Sequence, residues 1–142
     1  EKEKYDEAKQ MLESAIAADP NNAQLFNITG ILYEAQKDND KALANYRRAI
    51  ELDPKFAQAQ YNLGRKLCEK AYALSDGASN MSQADYNKLV ETEINPLFRE
   101  AAVHLEAAYE VDPDNSSDAL RYLRNVYYNL HDEDNLKRVE SL

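Results

Sequence analysis

The chain has 142 residues, 44% of them hydrophobic, with a formal charge of −9 and a pI near 4.7. That length supports one cooperative core, and no apolar run is long enough to span a bilayer as a helix. The acidic surplus opposes binding to nucleic acid or anionic lipid, which both demand Lys and Arg against phosphate. Three glycines, four prolines and an abundance of Ala, Leu, Glu, Lys, Asn and Gln favour helix throughout, so the expected fold class is all-α. Cys68 stands alone and makes no internal disulfide.

The opening "EKEKYDEA" lacks the apolar core of a signal peptide and already reads as helix, so the chain is expected to begin inside a longer protein. Residues 5–18 carry an apolar stripe at Tyr5, Ala8, Leu12, Ala15 and Ile16, wide enough to need cover on more than one side. An upstream helix, or self-association of the exposed edge, is the expected cover. Asp19-Pro20 then stops the helix, because proline cannot continue it and biases its predecessor away from α geometry. The same phrase, "AIAADPNNA" at 15–23, returns as "AIELDPKFA" at 49–57 and as "AYEVDPDNS" at 108–116. Between Pro20 and Pro54 two amphipathic helices are expected at 23–36 and 40–52, joined by the polar turn "KDND".

The next interval, Pro54 to Pro113, exceeds the first by about 25 residues, roughly seven turns of helix. A helix is expected from 57 to 75, a break at "DGASNM", and a second helix from 83 to 111 capped by Ser82 with Asp85 three residues on. Gln60, Leu63, Leu67, Ala71 and Leu74 on one helix, and Tyr86, Val90, Ile94, Leu97, Ala101, Leu105 and Ala108 on the other, advance by three or four residues. Both helices are therefore read as lengthened, with Pro96 kinking the second. "ALRYLRNVYYNL" and "DEDNLKRVESL" supply a closing pair.

The spacing from Pro20 to Pro54 matches the period of the tetratricopeptide repeat, a helix–turn–helix unit of about 34 residues. In the complete unit Phe26, Thr29, Gly30, Tyr33, Ala42, Tyr46, Ala49 and Pro54 stand in register with that family's pattern. In the next, "YNLG" at 61–64, Phe98, Ala101, Leu105, Ala108 and Pro113 repeat it, while in the last Arg124 replaces the small glycine and Leu136 the alanine. The chain resembles a tetratricopeptide-repeat protein over nearly its whole length. The resemblance implies a right-handed superhelix of stacked antiparallel helix pairs, about seven helices in all, with the third pair lengthened by an insertion of about 25 residues. It also implies a single domain over 1–142: the second helix of a truncated repeat at 5–20, a complete repeat at 23–54, a lengthened hairpin at 57–113 and a C-terminal cap at 116–142. Its layout is similar to that of exported bacterial members, which favours a periplasmic or exported location.

Enzyme chemistry has little support. Glu100 and His104, one turn apart, fall short of a metal-ligand set, Cys68 has no evident base, and "DPDNSSD" lacks the glycine and closing glutamate of a calcium loop, so neither metal nor cofactor is expected. Asn27, Asn80 and Asn115 open Asn-x-Ser/Thr sequons, read as chance matches. With the core positions assigned, the stripes turned away from it are Gln24, Asn27, Ile31 and Glu34; Gln58, Tyr61, Arg65, Cys68 and Tyr72; and Asp118, Arg121, Asn125 and Tyr128. In a curved stack these line the concave side. Asn27, Ile31, Tyr61, Arg65, Arg121, Asn125 and Tyr128 are the candidate groove for a partner protein or peptide. Ile28 and Tyr61 do not fit the Lys/Asn/Arg clamp with which some family members hold a C-terminal carboxylate. The alternative is a structural module that self-associates through its repeat edge or its lengthened hairpin.

Overall fold

A computed structural model describes residues 2–142, so the domain start expected at Glu1 lies outside the described residues. The helices are α1 (Lys2–Ala18), α2 (Ala23–Ala35), α3 (Asn39–Leu52), α4 (Ala57–Gly77), α5 (Gln83–Leu89), α6 (Asn95–Val111), α7 (Ser117–Asn129) and α8 (Glu133–Glu140). A π turn, Val90–Ile94, joins α5 to α6 without a break, and a single 3-10 turn, Pro113–Asn115, precedes α7. Counting the α5–α6 rod once, the described residues form seven helices and no strand, the all-α repeat pattern expected from the sequence.

Each Asp-Pro stop closes its helix identically. The N–H groups of Asp19, Asp53 and Asp112 donate to the carbonyls of Ala15, Ala49 and Ala108 at 2.9, 2.9 and 3.1 Å, and the following proline prevents another turn. The turns within pairs are also alike. Lys37 and His131 take left-handed φ values of 60° and 55°, which lets the N–H of Asp38 reach back to the Tyr33 carbonyl and that of Asp132 to the Tyr127 carbonyl, both at 2.9 Å. These closures satisfy carbonyls that the helix end leaves open. Asp38 and Asp132 then cap the next helix, accepting from the N–H of Lys41 and of Asn135.

The chain divides into two compact units, the first ending at Gln60 and the second spanning Tyr61–Leu142. In the first, α2 and α3 meet where Gly30 faces Tyr46, and a Cβ at Gly30 would stand 2.5 Å from Tyr46 Cε1. Tyr46, Ala42 and Ala49 are fully buried there, and the Tyr46 hydroxyl donates to Glu34 at 2.7 Å. Phe26 and Tyr33 are half-buried, with Arg48 and Lys41 over their rings at 5.8 and 5.4 Å. The α1 stripe of Tyr5, Ala8, Leu12, Ala15 and Ile16 is half-exposed, and α1 buries no residue fully.

In the second unit α4 packs on α6 through a similar small-residue gap. A Cβ at Gly64 would lie 2.6 Å from Leu105 Cγ and 3.2 Å from the Ala101 carbonyl oxygen. Leu63, Leu67, Ala71, Phe98, Ala101, Leu105 and Ala108 form the core around it. Further along, Ser82 caps α5 by accepting from the Asp85 N–H at 3.1 Å, and the Tyr86 and Ser75 hydroxyls meet at 3.0 Å across the tip of the hairpin. Ahead of Pro96, where a kink is expected, the helix takes a π turn: the Asn95 N–H bonds to the Val90 carbonyl, five positions back. Widening the turn directly ahead of the proline relieves the clash its ring makes with a carbonyl in an ordinary α turn, and the rod continues. At the end of the chain Leu123, Val126 and Val139 are buried, and Glu106 ties three helices together by accepting from the Tyr127 hydroxyl at 2.7 Å and pairing with Arg138. Arg124 is exposed, so its replacement of glycine does not obstruct packing.

Substitutions at the glycines and at the tight turn test this packing. Gly64→Ala should lower stability by about 1–3 kcal/mol through overpacking, although alanine is the better helix former by about 1 kcal/mol. Gly77→Ala, with no atom within 4 Å of the new Cβ, should be neutral or stabilising. Equal thermal shifts for the two would show that Gly64 does not set the α4–α6 distance. Lys37→Gly should raise stability in urea unfolding by about 1 kcal/mol, since glycine removes the left-handed penalty that a side chain incurs.

Candidate functional site

On α4, Tyr61 and Arg65 are successive residues of one face, and the Arg65 guanidinium lies 6.0 Å from the Tyr61 ring centre. Arg65 is also fixed by Glu69 at 2.8 Å, one turn on. Glu69 in turn takes a 2.6 Å bond from the buried ammonium of Lys66. Across from α4, α7 supplies Tyr122, whose ring meets that of Tyr61 edge-on at 6.2 Å and 66°. Arg121 lies 5.5 Å from the Tyr122 ring centre and holds Asp118 at 2.9 Å. Two arginine–carboxylate pairs thus flank a pair of tyrosines, and deeper along α4 Tyr72 packs edge-on against Phe98 at 5.4 Å.

Burial raises the Tyr61 hydroxyl above the ordinary phenol range, with Asp118 and Tyr122 adding to the shift and Arg65 and Arg121 opposing it. Tyr122 is raised by burial and by Glu69, and Tyr72 by burial and by Cys68. All three remain neutral phenols at physiological pH, able to donate and accept hydrogen bonds. The face offers aromatic area and guanidinium groups, which suit recognition of peptide backbone, carboxylate and apolar side chains.

Of the candidate residues, Tyr61, Arg65 and Arg121 come together in this cluster, and Asn125 and the 70% exposed Tyr128 continue the exposed stripe along α7. Within the first unit Ile31 is 43% exposed, whereas Asn27 is 1% exposed and donates to the Gln58 side chain at 3.4 Å, bridging α2 to the start of α4. Cys68, placed by its spacing on the outward stripe, is instead fully buried. The reason is that α4 is packed on more than one side, so a stripe opposite one partner helix is not free. Sequence reasoning missed Tyr122 and Glu69. The i, i+4 spacing of Arg65 and Glu69 was a readable signal; the Tyr61–Tyr122 contact had none, because it depends on how α4 and α7 pack. Glu100 and His104 stand 3.9 Å apart, and no three or more His, Cys, Asp or Glu side chains gather as a metal site among the described residues.

These elements define an all-α helical-repeat protein. Residues 30–65 match the family model described as TPR repeat, and residues 1–22 match the one described as tetratricopeptide repeat. These two stretches of the chain are tetratricopeptide repeats. It is 32% identical over 62 residues, 44% of its own length, to the peroxisomal targeting signal receptor of Saccharomyces cerevisiae. To E3 SUMO-protein ligase RanBP2 of Homo sapiens and of Pan troglodytes it is 30% identical over 69 residues, 49% of its length. The match covers 10% of the yeast receptor and 2% of each RanBP2. Tetratricopeptide repeats are protein-interaction modules, and no helix among the described residues is long and apolar enough to cross a membrane.

Burial and the neighbouring Glu69 raise the Cys68 thiol to about 12. The native fold therefore keeps it neutral where an exposed cysteine ionises near pH 8.5, and its contribution to stability is full below that value and declines as pH rises above it. At pH 8, thiol labelling of the native chain should run at the rate of opening rather than of free cysteine and become fast in denaturant. Immediate labelling of the native protein would contradict the burial.

Proposed function

We propose that the chain is a non-catalytic module that binds an extended segment of a partner protein on the α4–α7 face, within one repeat domain laid out as 5–20, 23–54, 57–113 and 116–142. The observation that carries this reading is the cluster of Tyr61, Tyr122, Arg65 and Arg121, two rings and two guanidinium groups, each guanidinium paired with a carboxylate on its own helix. Preformed side chains bind with less ordering cost than mobile ones. Asn125 and Tyr128, further along the exposed side of α7, extend the contact by about two turns of helix. Within the first unit Asn27 holds the Gln58 side chain and Ile31 is exposed apolar area.

Peptides selected on the immobilised 142-residue chain by display test this directly. Selected peptides should lose about tenfold or more in affinity on Tyr61→Ala or Arg121→Glu, the loss expected for a hot-spot residue, while the helical circular dichroism stays unchanged. Binding that survives both substitutions would remove the α4–α7 face from the interaction.

A second reading, self-association, is favoured by α1, which buries no residue fully and exposes Met11 by 74%. It requires a concentration-dependent dimer in sedimentation that Leu12→Glu abolishes.

A further inference from the structure

A cavity of about 360 Å³ opens between α7 and α8, apart from the Tyr61 cluster. This lies within the roughly 300–1,000 Å³ range of small-ligand pockets. Its walls combine three kinds of group. Tyr127, Tyr128 and Leu136 give aromatic and aliphatic surface; Asp132, Glu133 and Glu140 give three carboxylates; Lys137 is the one formal cation among the lining residues. The lining therefore carries a formal charge of −2 with His131 neutral, in a chain that is itself at −9.

The carboxylates are not equivalent. Asp132 is engaged in capping α8: it accepts from the Asn135 backbone and side chain, and these bonds hold its carboxyl below the ordinary range. Glu133 meets Lys137 only at 4.0 Å, with both side chains largely exposed, a contact too loose to consume its charge. The Glu140 carboxylate forms no ion pair or hydrogen bond with any described residue. The Tyr127 hydroxyl is committed to Glu106, which locks that ring in place, whereas Tyr128 is 70% exposed beside it.

We propose that this cavity receives an arginine side chain of a partner peptide. Arginine is the residue whose chemistry uses all three features: a planar cation that stacks on a tyrosine face, donors that fork onto a carboxylate, and an aliphatic stem for Leu136. Lysine satisfies the charge but neither the stacking nor the fork. The complementarity of an acidic, aromatic-walled cavity with a guanidinium sets the occupant, and the local −2 raises the encounter rate of a basic segment.

The test is an NMR titration of the full ¹⁵N-labelled chain with an acetylated Gly-Ser-Leu-Arg-Ser-Gly peptide and with its citrulline and lysine counterparts. Citrulline keeps the shape and removes the charge. The arginine peptide should shift the amides around Leu136 and Glu140 and bind about tenfold more tightly than either counterpart, as expected for loss of a stacked or charge-assisted contact. Glu133→Gln combined with Glu140→Gln should remove that preference, and Tyr61→Ala should leave it unchanged. Equal binding of the three peptides, absence of shifts on α7 and α8, or shifts confined to Tyr61 and Tyr122 would each overturn the proposal. The last outcome would leave the α4–α7 reading standing.

Discussion

Two places where a helix backbone must come within van der Waals reach of a large side chain set the geometry of this protein. At Gly30 the space of a missing Cβ is taken by the Tyr46 ring, and at Gly64 by Leu105. Neither glycine is needed for its backbone freedom, since both lie inside helices. They are there because hydrogen is the only substituent that lets the paired helices approach, and the fully buried tyrosine and leucine gain their burial, roughly 1.5–3 kcal/mol for an aliphatic side chain of this size, only if they do. A close-packed interior transmits such a constraint along the helices, so the same contacts that seat Leu105 also place Phe98 beside Tyr72.

Surface chemistry depends on that seating. With the core side of α4 committed, Tyr61 and Arg65 come to stand against Tyr122 and Arg121 of α7. Both arginines are already tied to carboxylates and lie over tyrosine rings, so the cluster is internally balanced and presents shaped aromatic and planar groups rather than net charge. The cavity between α7 and α8 differs in kind, having an excess of carboxylates around an exposed ring. One helix, α7, thus contributes to both: Arg121 belongs to the cluster, and Tyr128, two turns further along the same exposed side, lines the cavity. Glu106 keeps that helix and α8 in place from below through Tyr127 and Arg138.

The lengthened hairpin shows how an insertion is absorbed without loss of register. The added length lies in α4 and in the α5–α6 rod, while the pairing around Gly64, Ala101 and Leu105 keeps the small-residue contact of an ordinary repeat. A proline within the rod is accommodated by one π turn, through which the helix continues.

By itself the sequence determined the helices, their stops and their small-residue contacts, because these rest on local chemistry that a spacing displays: Asp-Pro ends a helix, Ser82 begins one, and glycine in register with a bulky apolar residue marks close approach. Local chemistry did not reveal the left-handed turns at Lys37 and His131, which carry no glycine to announce them, nor the π turn, whose proline was compatible with a kink. The tertiary structure alone decided the rest. Cys68 shares the spacing of Tyr61 and Arg65 yet is buried, Asn27 shares that of Ile31 yet is bonded to Gln58, and Tyr122 finds Tyr61 from beyond the far end of the lengthened hairpin. Periodicity says which way a side chain points from its own helix, but exposure and partnership are set by what other helices bring to that direction, and this is fixed only once they are packed.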